Sequence, residues 1–337
     1  MRSVSVLVVI PTLNEAHGIG AVLEALARDF DYQGASRIVV VDGGSDDGTL
    51  DIVRAAMRRD PRIALLNNAR RIQSSAINLA VQSFGEGIDI LIRCDAHACY
   101  PPRYVARLVE ILRRTDSDSV VVPMDSVGVG CTGRAIAWLS DSLIGSGGSA
   151  HRGGRRSGYV DHGHHAAFRM QTFRIIGGYD ESFRCNEDAE FDCRQRALGA
   201  RIFLDAGNRI TYRPRTSLAA LWRQYFNYGA GRSRTVRRHP HSLRLRQLAV
   251  PVHSACCLIA LAAAHWCLPL LLWPAAYVGA LCLNSLTLVM RHRSLCGLGA
   301  VAAAITMHFA WSAGFFRSLL MQRDVRWRPS MIAPLAS

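Results

Sequence analysis

Short apolar runs alternate with helical patterns from residue 4 to residue 198 of the chain. The apolar runs, rich in Val, Ile and Leu, predict strands at residues 4–10, 37–41, 62–66, 88–93 and 119–123. The segments between them predict helices at residues 17–29, 49–59, 74–84 and 102–114, and a further helix follows at residues 186–198. Strands that read as continuous apolar runs are buried on both faces, which is typical of parallel sheets covered by helices. The pattern therefore predicts a doubly wound, mostly parallel α/β sheet.

The C-terminal part of the chain has a different composition. Leu248 to Met290 contains 43 residues without one Asp, Glu, Lys or Arg. As a helix this stretch would be about 64 Å long, enough for two crossings of a hydrocarbon core of ~30 Å, with a turn at Pro269 and Pro274. Leu295 to Phe316 is a third uncharged stretch. We therefore predict a catalytic domain at residues 1–240, a membrane region of two to three helices at residues 248–320, and a tail at residues 321–337.

The formal net charge of +14 comes from arginine alone, because the sequence contains no lysine. The excess is concentrated in Arg152–Arg156, Arg209–Arg246 and Arg317–Arg328. A basic excess can indicate nucleic acid, anionic membrane or phosphorylated substrates. The apolar stretches that follow favour a membrane, and the absence of a recognisable motif disfavours nucleic acid. Residues 218–229 predict an amphipathic helix at the membrane surface, and the Gly-rich basic stretch 142–158 predicts a mobile loop.

Arginines flanking the apolar stretches also bear on topology. The basic residues before Leu248 and those at Arg291–Arg293 agree with two crossings that return the chain to the cytoplasmic side. A third crossing by Leu295–Phe316 would leave Arg323–Arg328 outside, against this tendency. We expect the crossing and keep a re-entrant or interfacial segment as the alternative. The ten Cys show no CxxC spacing, so we expect reduced thiols at a cytosolic face.

Acidic residues follow three of the predicted strands. Glu15 comes shortly after Pro11, Asp42 ends the second strand, and Asp95 follows the strand at residues 88–93, with His97 two positions later. Ligands of open α/β sheets bind beyond the carboxyl ends of the strands, so these side chains should meet at one rim. An Asp and a His two residues apart on an extended segment can share one Mn²⁺ or Mg²⁺ ion. Each acid could instead serve only as a turn or helix cap.

Two further clusters carry candidate chemistry. Asn186–Glu190 brings three acids to a helix start, where the helix dipole alone would favour them, but where a carboxylate could also act as a general base. His162–His165 contains three His residues and could bind a metal. Its spacing matches no specific zinc pattern, so we favour polar residues lining a cleft.

Four motifs in order resemble family 2 glycosyltransferases of the GT-A fold. They are Pro11–Glu15 (PTLNE), Val41–Thr49 (VDGGSDDGT), Asp95–His97 (DAH) and Asn186–Asp188 (NED). The segment Asn67–Pro101 resembles more specifically the succinoglycan-biosynthesis-type membrane glucosyltransferases of bacterial exopolysaccharide pathways. Residues 3–230 carry the resemblance.

The resemblance implies a binding site for a nucleotide-diphosphate sugar, with uridine as the expected nucleoside. Pro11, Glu15 and Asp42 would hold the nucleoside. Asp95 would contact the ribose or the diphosphate and, with His97, would bind Mn²⁺ or Mg²⁺. His97 stands where many relatives carry a second Asp.

The same resemblance implies an inverting transfer with Asp188 as the catalytic base and Glu187 beside it. The Gln-x-x-Arg-Trp motif of processive synthases is missing, so we expect transfer of a single sugar, glucose or a related hexose, from a UDP-sugar to a polyprenyl-diphosphate-linked saccharide. Such an enzyme of exopolysaccharide or cell-envelope glycan synthesis would lie in the bacterial inner membrane as a multi-pass protein, with its catalytic domain facing the cytoplasm. The alternatives are a polyprenyl-phosphate sugar synthase and a non-catalytic nucleotide-sugar-binding membrane protein.

Overall fold

A computed structural model describes residues 4–29, 35–148 and 155–332. The chain forms two compact units. The first contains Met1–Asp125, Gly153–Tyr212 and Arg328–Ser337, and the second contains Ser126–Arg152 and Arg213–Trp327. This division differs from the expected boundary at residue 240, because the helix that follows Tyr212 packs along a helix of the apolar region. Residues 149–154, which include Arg152 of the basic run Arg152–Arg156, lie outside the described residues.

A mostly parallel sheet forms the centre of the first unit. The strands are β1 (Val6–Thr12), β2 (Arg37–Asp42), β3 (Ile63–Asn67), β4 (Ile90–Arg93), β5 (Ser119–Val122), β6 (Met124–Ser126), β7 (Gly158–Val160), β8 (His164–Arg169), β9 (Ile202–Leu204) and β10 (Ile210–Tyr212). Among the described residues, eight of them form one sheet in the order β3-β2-β1-β4-β8-β5-β9-β7. β8 lies antiparallel between β4 and β5, and β7 is antiparallel to β9. The remaining pairs in this sheet are parallel, which confirms the predicted α/β class.

Helices cover both faces of this sheet. The helices of the chain are α1 (Ile19–Arg28), α2 (Thr49–Arg59), α3 (Gln73–Phe84), α4 (Tyr104–Arg114), α5 (Gly130–Ser140), α6 (Leu143–Ser146), α7 (Met170–Ile175), α8 (Glu187–Ala197), α9 (Leu218–Arg238), α10 (Leu245–Ala263), α11 (Leu272–His292) and α12 (Ala300–Met321). Val6, Val8 and Ile10 of β1 belong to the core on one face of the sheet, and Leu7 and Val9 to the core on the other. Burial of both alternating sets explains why β1 reads as a continuous apolar run.

Predicted strands and helices up to residue 123 match the structure to within a few residues, but shorter elements were missed. The three-residue strands β6, β7, β9 and β10 give too little periodicity to be read from sequence. The stretch 142–158, predicted to be a mobile loop, contains the short helix α6 and the beginning of β7. The antiparallel strand β8 starts within the His-rich run and was also missed.

The second unit contains the apolar helices. Two segments, Leu268–His292 and Leu295–Met321, are long and apolar enough to span a membrane. The two crossings predicted within Leu248–Met290 are not both matched, because the apolar part of α10 covers only Gln247–Ala263. Pro269 lies in the break between α10 and α11 as predicted, whereas Pro274 lies inside the first turn of α11, where a missing backbone N–H costs little.

α9 extends beyond the predicted range 218–229 and runs side by side with α12. A Cβ atom added to Gly229 of α9 would overlap the Trp311 carbonyl oxygen, and one added to Gly314 of α12 would overlap the Phe226 carbonyl oxygen. Glycine therefore permits the two backbones to touch. Closer to the C-terminal ends of both helices, the Arg237 guanidinium donates to the Ser318 carbonyl oxygen at 3.0 Å.

A disulfide joins α5 to the connection between α11 and α12. Cys131 and Cys296 are bonded, with their Cα atoms 5.0 Å apart. The expectation that all thiols are reduced is wrong for this pair. No local sequence pattern indicates this pair, because the two Cys are 165 positions apart.

Gly314→Ala should destabilise the second unit, because the added methyl group overlaps backbone of α9. Overpacking of this kind costs about 1–3 kcal/mol, so the Tm of the detergent-purified protein should fall. Gly279→Ala in α11 is the matched control, since a Cβ there meets no atom of the described chain within 4 Å. Its Tm should stay level or rise, because alanine is the better helix former. Equal Tm values for the two variants would contradict the close α9–α12 contact.

Candidate functional site

The carboxyl ends of β1, β2 and β4 border a cleft of about 190 Å³. Thr12 at the end of β1 pairs with Asp42 at the end of β2, and the chain after β4 continues into Cys94, whose N–H donates to the Val9 carbonyl oxygen at 2.9 Å. The cleft is lined by Pro11, Thr12, Leu13, Glu15, Val41, Gly43, Asn68, Arg71, Ile72, Gln73, Ala76, Asp95, Ala96 and His97. Four of the sequence-predicted residues, Pro11, Glu15, Asp95 and His97, therefore line one cleft.

Asp42 has a different environment from the other predicted nucleotide-binding residues. It is buried, and its carboxylate is occupied by its own turn. One oxygen accepts from the Gly44 and Ser45 N–H groups at 2.7 and 2.9 Å, and the other accepts from the Ser45 hydroxyl at 2.5 Å. In this conformation Asp42 stabilises the turn after β2, which matches the turn-cap alternative for this residue.

Glu15 and His97 form a pair on one wall of the cleft. The His97 Nδ1 lies 2.9 Å from a Glu15 carboxylate oxygen. A carboxylate bonded to one ring nitrogen fixes the ring and makes the other nitrogen a better metal ligand. The sequence suggested separate roles for Glu15 and His97, and the structure brings them together.

Asp95, two residues before His97, is held in place by Tyr100. Its backbone N–H and carbonyl oxygen both bond the Tyr100 hydroxyl, at 2.5 and 3.0 Å. Its carboxylate lies 3.4 Å from the His164 Nε2. Burial alone would raise the pKa of Asp95, but the hydrogen bond and charge of His164 and the charges of Arg93 and His97 outweigh it. The pKa of Asp95 is therefore lowered, and the carboxylate is ionised at neutral pH.

Arg93 connects this segment to the acids of α8. Its guanidinium, 5% exposed, forms an ion pair with Asp188 and lies 3.7 Å from Glu187 and 4.0 Å from Asp95. The side-chain oxygen of Gln73, when the amide is oriented toward Arg93, accepts from its Nε at 2.8 Å. We did not assign Arg93 a role from the sequence. The signal was a charged residue closing a buried apolar strand directly before the acidic motif.

Glu187 and Asp188 begin α8 and differ in their electrostatic environment. Burial and the neighbouring Asp188 charge raise the pKa of Glu187 to about 7, against the opposing charge of Arg93. Burial would also raise the pKa of Asp188, but Arg93 and His165 more than offset this and lower it well below its usual value. The third acid of this motif, Glu190, is buried in a pair with Arg194 and has a structural role.

The run His162–His165 does not form a metal cluster. His164 contacts Asp95, while His165 is fully buried between Asp188 and Asp192. The favoured interpretation, polar residues lining a cleft, is therefore wrong for His165. Within residues 4–29, 35–148 and 155–332, no group of three or more His, Cys, Asp or Glu side chains is arranged to hold a metal ion. The carboxylate of Asp95 and the imidazole of His97 still supply the mixed oxygen and nitrogen donors that suit Mn²⁺.

Comparisons with known proteins identify relatives of this chain. The family described as "Glycosyl transferase family 2" matches residues 7–177. The chain is 43% identical to the succinoglycan biosynthesis protein ExoA of Rhizobium meliloti, over 95% of this chain and 96% of that protein. It is 31% identical to an undecaprenyl-phosphate mannosyltransferase of Micrococcus luteus, over 33% of this chain and 45% of that protein.

A solved structure shares the fold. A mannosyltransferase from Pyrobaculum calidifontis, crystallised with GDP-Man and Mn²⁺, superposes with a TM-score of 0.59 at 20% identity, covering 96% of this chain and 89% of that one. This likeness confirms the predicted GT-A fold. Because the family match spans more than half of the chain and a relative of similar length is 43% identical, the chain belongs to glycosyl transferase family 2.

Proposed function

We propose that this glycosyltransferase moves a single sugar, glucose or a related hexose, from a UDP-sugar to a polyprenyl-diphosphate-linked saccharide. The observation that carries the proposal is the Arg93 cluster. It joins Asp95, at the rim of the cleft, to Glu187 and Asp188 at the start of α8. A donor diphosphate near Asp95 and an acceptor hydroxyl near Asp188 would therefore lie within one compact group of side chains.

The proposed reaction is a single displacement. Asp188 takes the proton of the acceptor hydroxyl, whose oxygen forms the new bond to the anomeric carbon as the bond to the diphosphate breaks. The diphosphate leaves with the electron pair, and the anomeric configuration inverts. The lowered pKa of Asp188 keeps its carboxylate ionised at neutral pH, which is the form that a base requires. Proton transfer to a positioned base contributes about 100- to 10,000-fold to such reactions.

Asp95 and His97 are the residues that would hold Mn²⁺ or Mg²⁺, with Glu15 behind His97. Such an ion supplies positive charge for the leaving diphosphate. Pro11 and Glu15 would contact the nucleoside, as the resemblance implies, and they line the same cleft. Asp42 would act indirectly, through the turn that it stabilises.

The lipid-linked acceptor and the bacterial inner membrane are proposed on two grounds. The relative that covers nearly the whole chain is a succinoglycan biosynthesis protein, and two helices are apolar and long enough to span a membrane. The shorter match to an undecaprenyl-phosphate mannosyltransferase favours a second candidate, a polyprenyl-phosphate sugar synthase. In that case the acceptor would be the lipid phosphate itself.

The membrane-bound protein should transfer label from one nucleotide sugar to extractable lipid, and Asp188→Asn should lower that transfer about 100-fold or more. Membranes carrying the protein are incubated with radiolabelled UDP-, GDP- and dTDP-sugars, Mn²⁺ or Mg²⁺, and either polyprenyl-diphosphate saccharide or polyprenyl phosphate. Label on the saccharide acceptor supports the proposal, and label only on polyprenyl phosphate supports the synthase. Transfer that is unchanged in Asp188→Asn overturns Asp188 as the base, and absence of transfer with every donor and acceptor favours the non-catalytic alternative.

Glu15→Gln should raise the Mn²⁺ concentration needed for half-maximal transfer by about 10- to 100-fold, because His97 loses the carboxylate that orients its ring. Mn²⁺ is titrated into the EDTA-treated protein, with transfer as the readout. Glu24→Gln, which removes an exposed carboxylate of α1 paired only locally with Arg28, is the control and should behave as the native protein. An unchanged Mn²⁺ requirement in Glu15→Gln would show that His97 does not depend on Glu15.

The pairing of α9 with α12 bears on the third predicted crossing. Leu221 packs with Ala304 and Met307, and the contact continues along both helices to Arg237 and Ser318, so the helices run in the same direction. Five arginines, at positions 223, 232, 234, 237 and 238, lie on α9. A helix with five arginines does not cross the hydrocarbon core of a membrane. Because α12 packs along α9, it lies at the same depth in the membrane. We therefore propose that α12 lies at the interface, and that α11 enters the membrane as a hairpin with α10, whose apolar part, Gln247–Ala263, is at the short end of a membrane-spanning length.

Tags at the N-terminus and at the C-terminus should be digested together when sealed inverted vesicles are treated with protease. Both tags are expected on the same side of the membrane, because an interfacial α12 does not carry the C-terminus across it. Detergent-opened vesicles provide the control for tag cleavage. Protection of the C-terminal tag alone would support a third crossing and would overturn the interfacial placement of α12.

A further inference from the structure

A buried chain of polar side chains extends from Asp188 away from the cleft. His165 on β8 lies with its Nδ1 3.2 Å from an Asp188 oxygen and its Nε2 2.7 Å from an Asp192 oxygen. The other oxygen of Asp192 lies 2.5 Å from the Nδ1 of His162, which is partly exposed. The chain therefore links the proposed base to the surface through one carboxylate, that of Asp192, and two imidazoles.

The two carboxylates fix the charge of His165. Because each ring nitrogen faces a carboxylate oxygen, both nitrogens serve as donors only in the imidazolium form. Burial by itself would lower the pKa of His165, but the charges of Asp192 and Asp188 outweigh it and raise the pKa to about 10. His165 is therefore a cation at neutral pH, completely removed from solvent.

The remaining neighbours of His165 come from several elements. The Tyr179 hydroxyl lies 2.7 Å from Nδ1, and the rings of Phe168 and Phe191 pack against the imidazole. Arg93 is the other cation beside Asp188. Glu187 lies on the far side of Arg93 at 3.7 Å.

Gln195 and Ser119 complete the far end of the chain. The Gln195 amide donates to the Asp192 oxygen at 2.6 Å, and the Ser119 hydroxyl donates to Gln195 at 3.1 Å. Asp192 is thus held in place by three partners, which are His165 of β8, Gln195 of α8 and His162 in the segment before β8. This network leaves His165 little freedom to turn away from Asp188.

We propose that His165 is a positioning residue for Asp188, resting on the proposed function of Asp188 as the base. Arg93 and His165 both contact the same Asp188 oxygen, Oδ1. Among the described residues no hydrogen bond is made by the second oxygen, Oδ2. Oδ2 is therefore the oxygen that takes the acceptor proton, while the two cations on Oδ1 keep the carboxylate ionised and fix its plane.

The test compares pH profiles of sugar transfer by His165→Gln and the native protein. Loss of a neighbouring cation raises the pKa of Asp188, so the acid limb of kcat should move up by about one pH unit or more. Loss of the contact that fixes the plane of the carboxylate should separately lower kcat at neutral pH by about 10-fold or more. The donor KM should stay within about twofold of the native value, because His165 does not line the nucleotide cleft.

Two further variants keep the outcome decisive. Asp192→Asn keeps the size of the side chain but removes the charge that anchors His165, and should move the acid limb in the same direction even where His165→Gln does not fold. Ser119→Ala is the matched control, since its buried hydroxyl donates to Gln195 and, among the described residues, makes no hydrogen bond to Asp192 or His165. It should give a native profile.

The results separate this inference from the proposed function. A native pH profile in folded His165→Gln, or in Asp192→Asn, overturns the positioning role. If Asp188→Asn itself transfers sugar at the native rate, the proposed base is wrong, and the inference fails with it. If Asp188→Asn is inactive and the acid limb of kcat moves up in His165→Gln and Asp192→Asn, the results support both the proposed base and the positioning role of His165.

Discussion

One buried guanidinium, that of Arg93, holds the acidic side of the candidate site together. It forms ion pairs with Asp188, Glu187 and Asp95, which come from two parts of the chain. Removing one partner of a buried ion pair typically costs about 3–5 kcal/mol, because the remaining charge is left uncompensated. Without Arg93, three carboxylates in a small, mostly dry volume would repel one another. The low pKa of Asp188 follows from this cation together with His165, whereas burial and the Asp188 charge raise the pKa of Glu187 in spite of Arg93.

Much of the first unit could be predicted from sequence because local patterns determine it. Continuous apolar runs predicted the strands, and the residues that follow these runs predicted which side chains lie at the rim of the sheet. Glu15, Asp95 and His97 were therefore correctly placed together. Sequence could not show that the Asp42 carboxylate bonds its own turn, because an acid that caps a turn and an acid that binds a ligand follow a strand in the same pattern. It could not pair Arg93 with Asp188 either, because 95 positions separate them and the contact depends on how β4 and α8 pack.

The run His162–His165 is a second case in which the sequence pattern does not determine the side-chain contacts. Three histidines within four positions suggest a metal site or a polar surface, yet His164 and His165 face different carboxylates, on separate elements. In the second unit, hydropathy identified α11 and α12 as apolar segments but treated each one separately. It could not show that α12 lies along α9, a helix with five arginines, which changes the meaning of its apolar sequence.

The most direct test of the account is the Tm of the purified, metal-free protein and of Arg93→Met from about pH 5 to about pH 8. In the native protein the pKa values of Asp95 and Asp188 are lowered, so the stability that these groups contribute is present throughout this range. In the variant, burial without a cation raises the carboxyl pKa values, so its stability is greatest at low pH and is lost as pH rises. The account predicts that the difference in Tm widens toward pH 8. A difference that stays constant with pH would contradict it and would reduce Arg93 to a packing role.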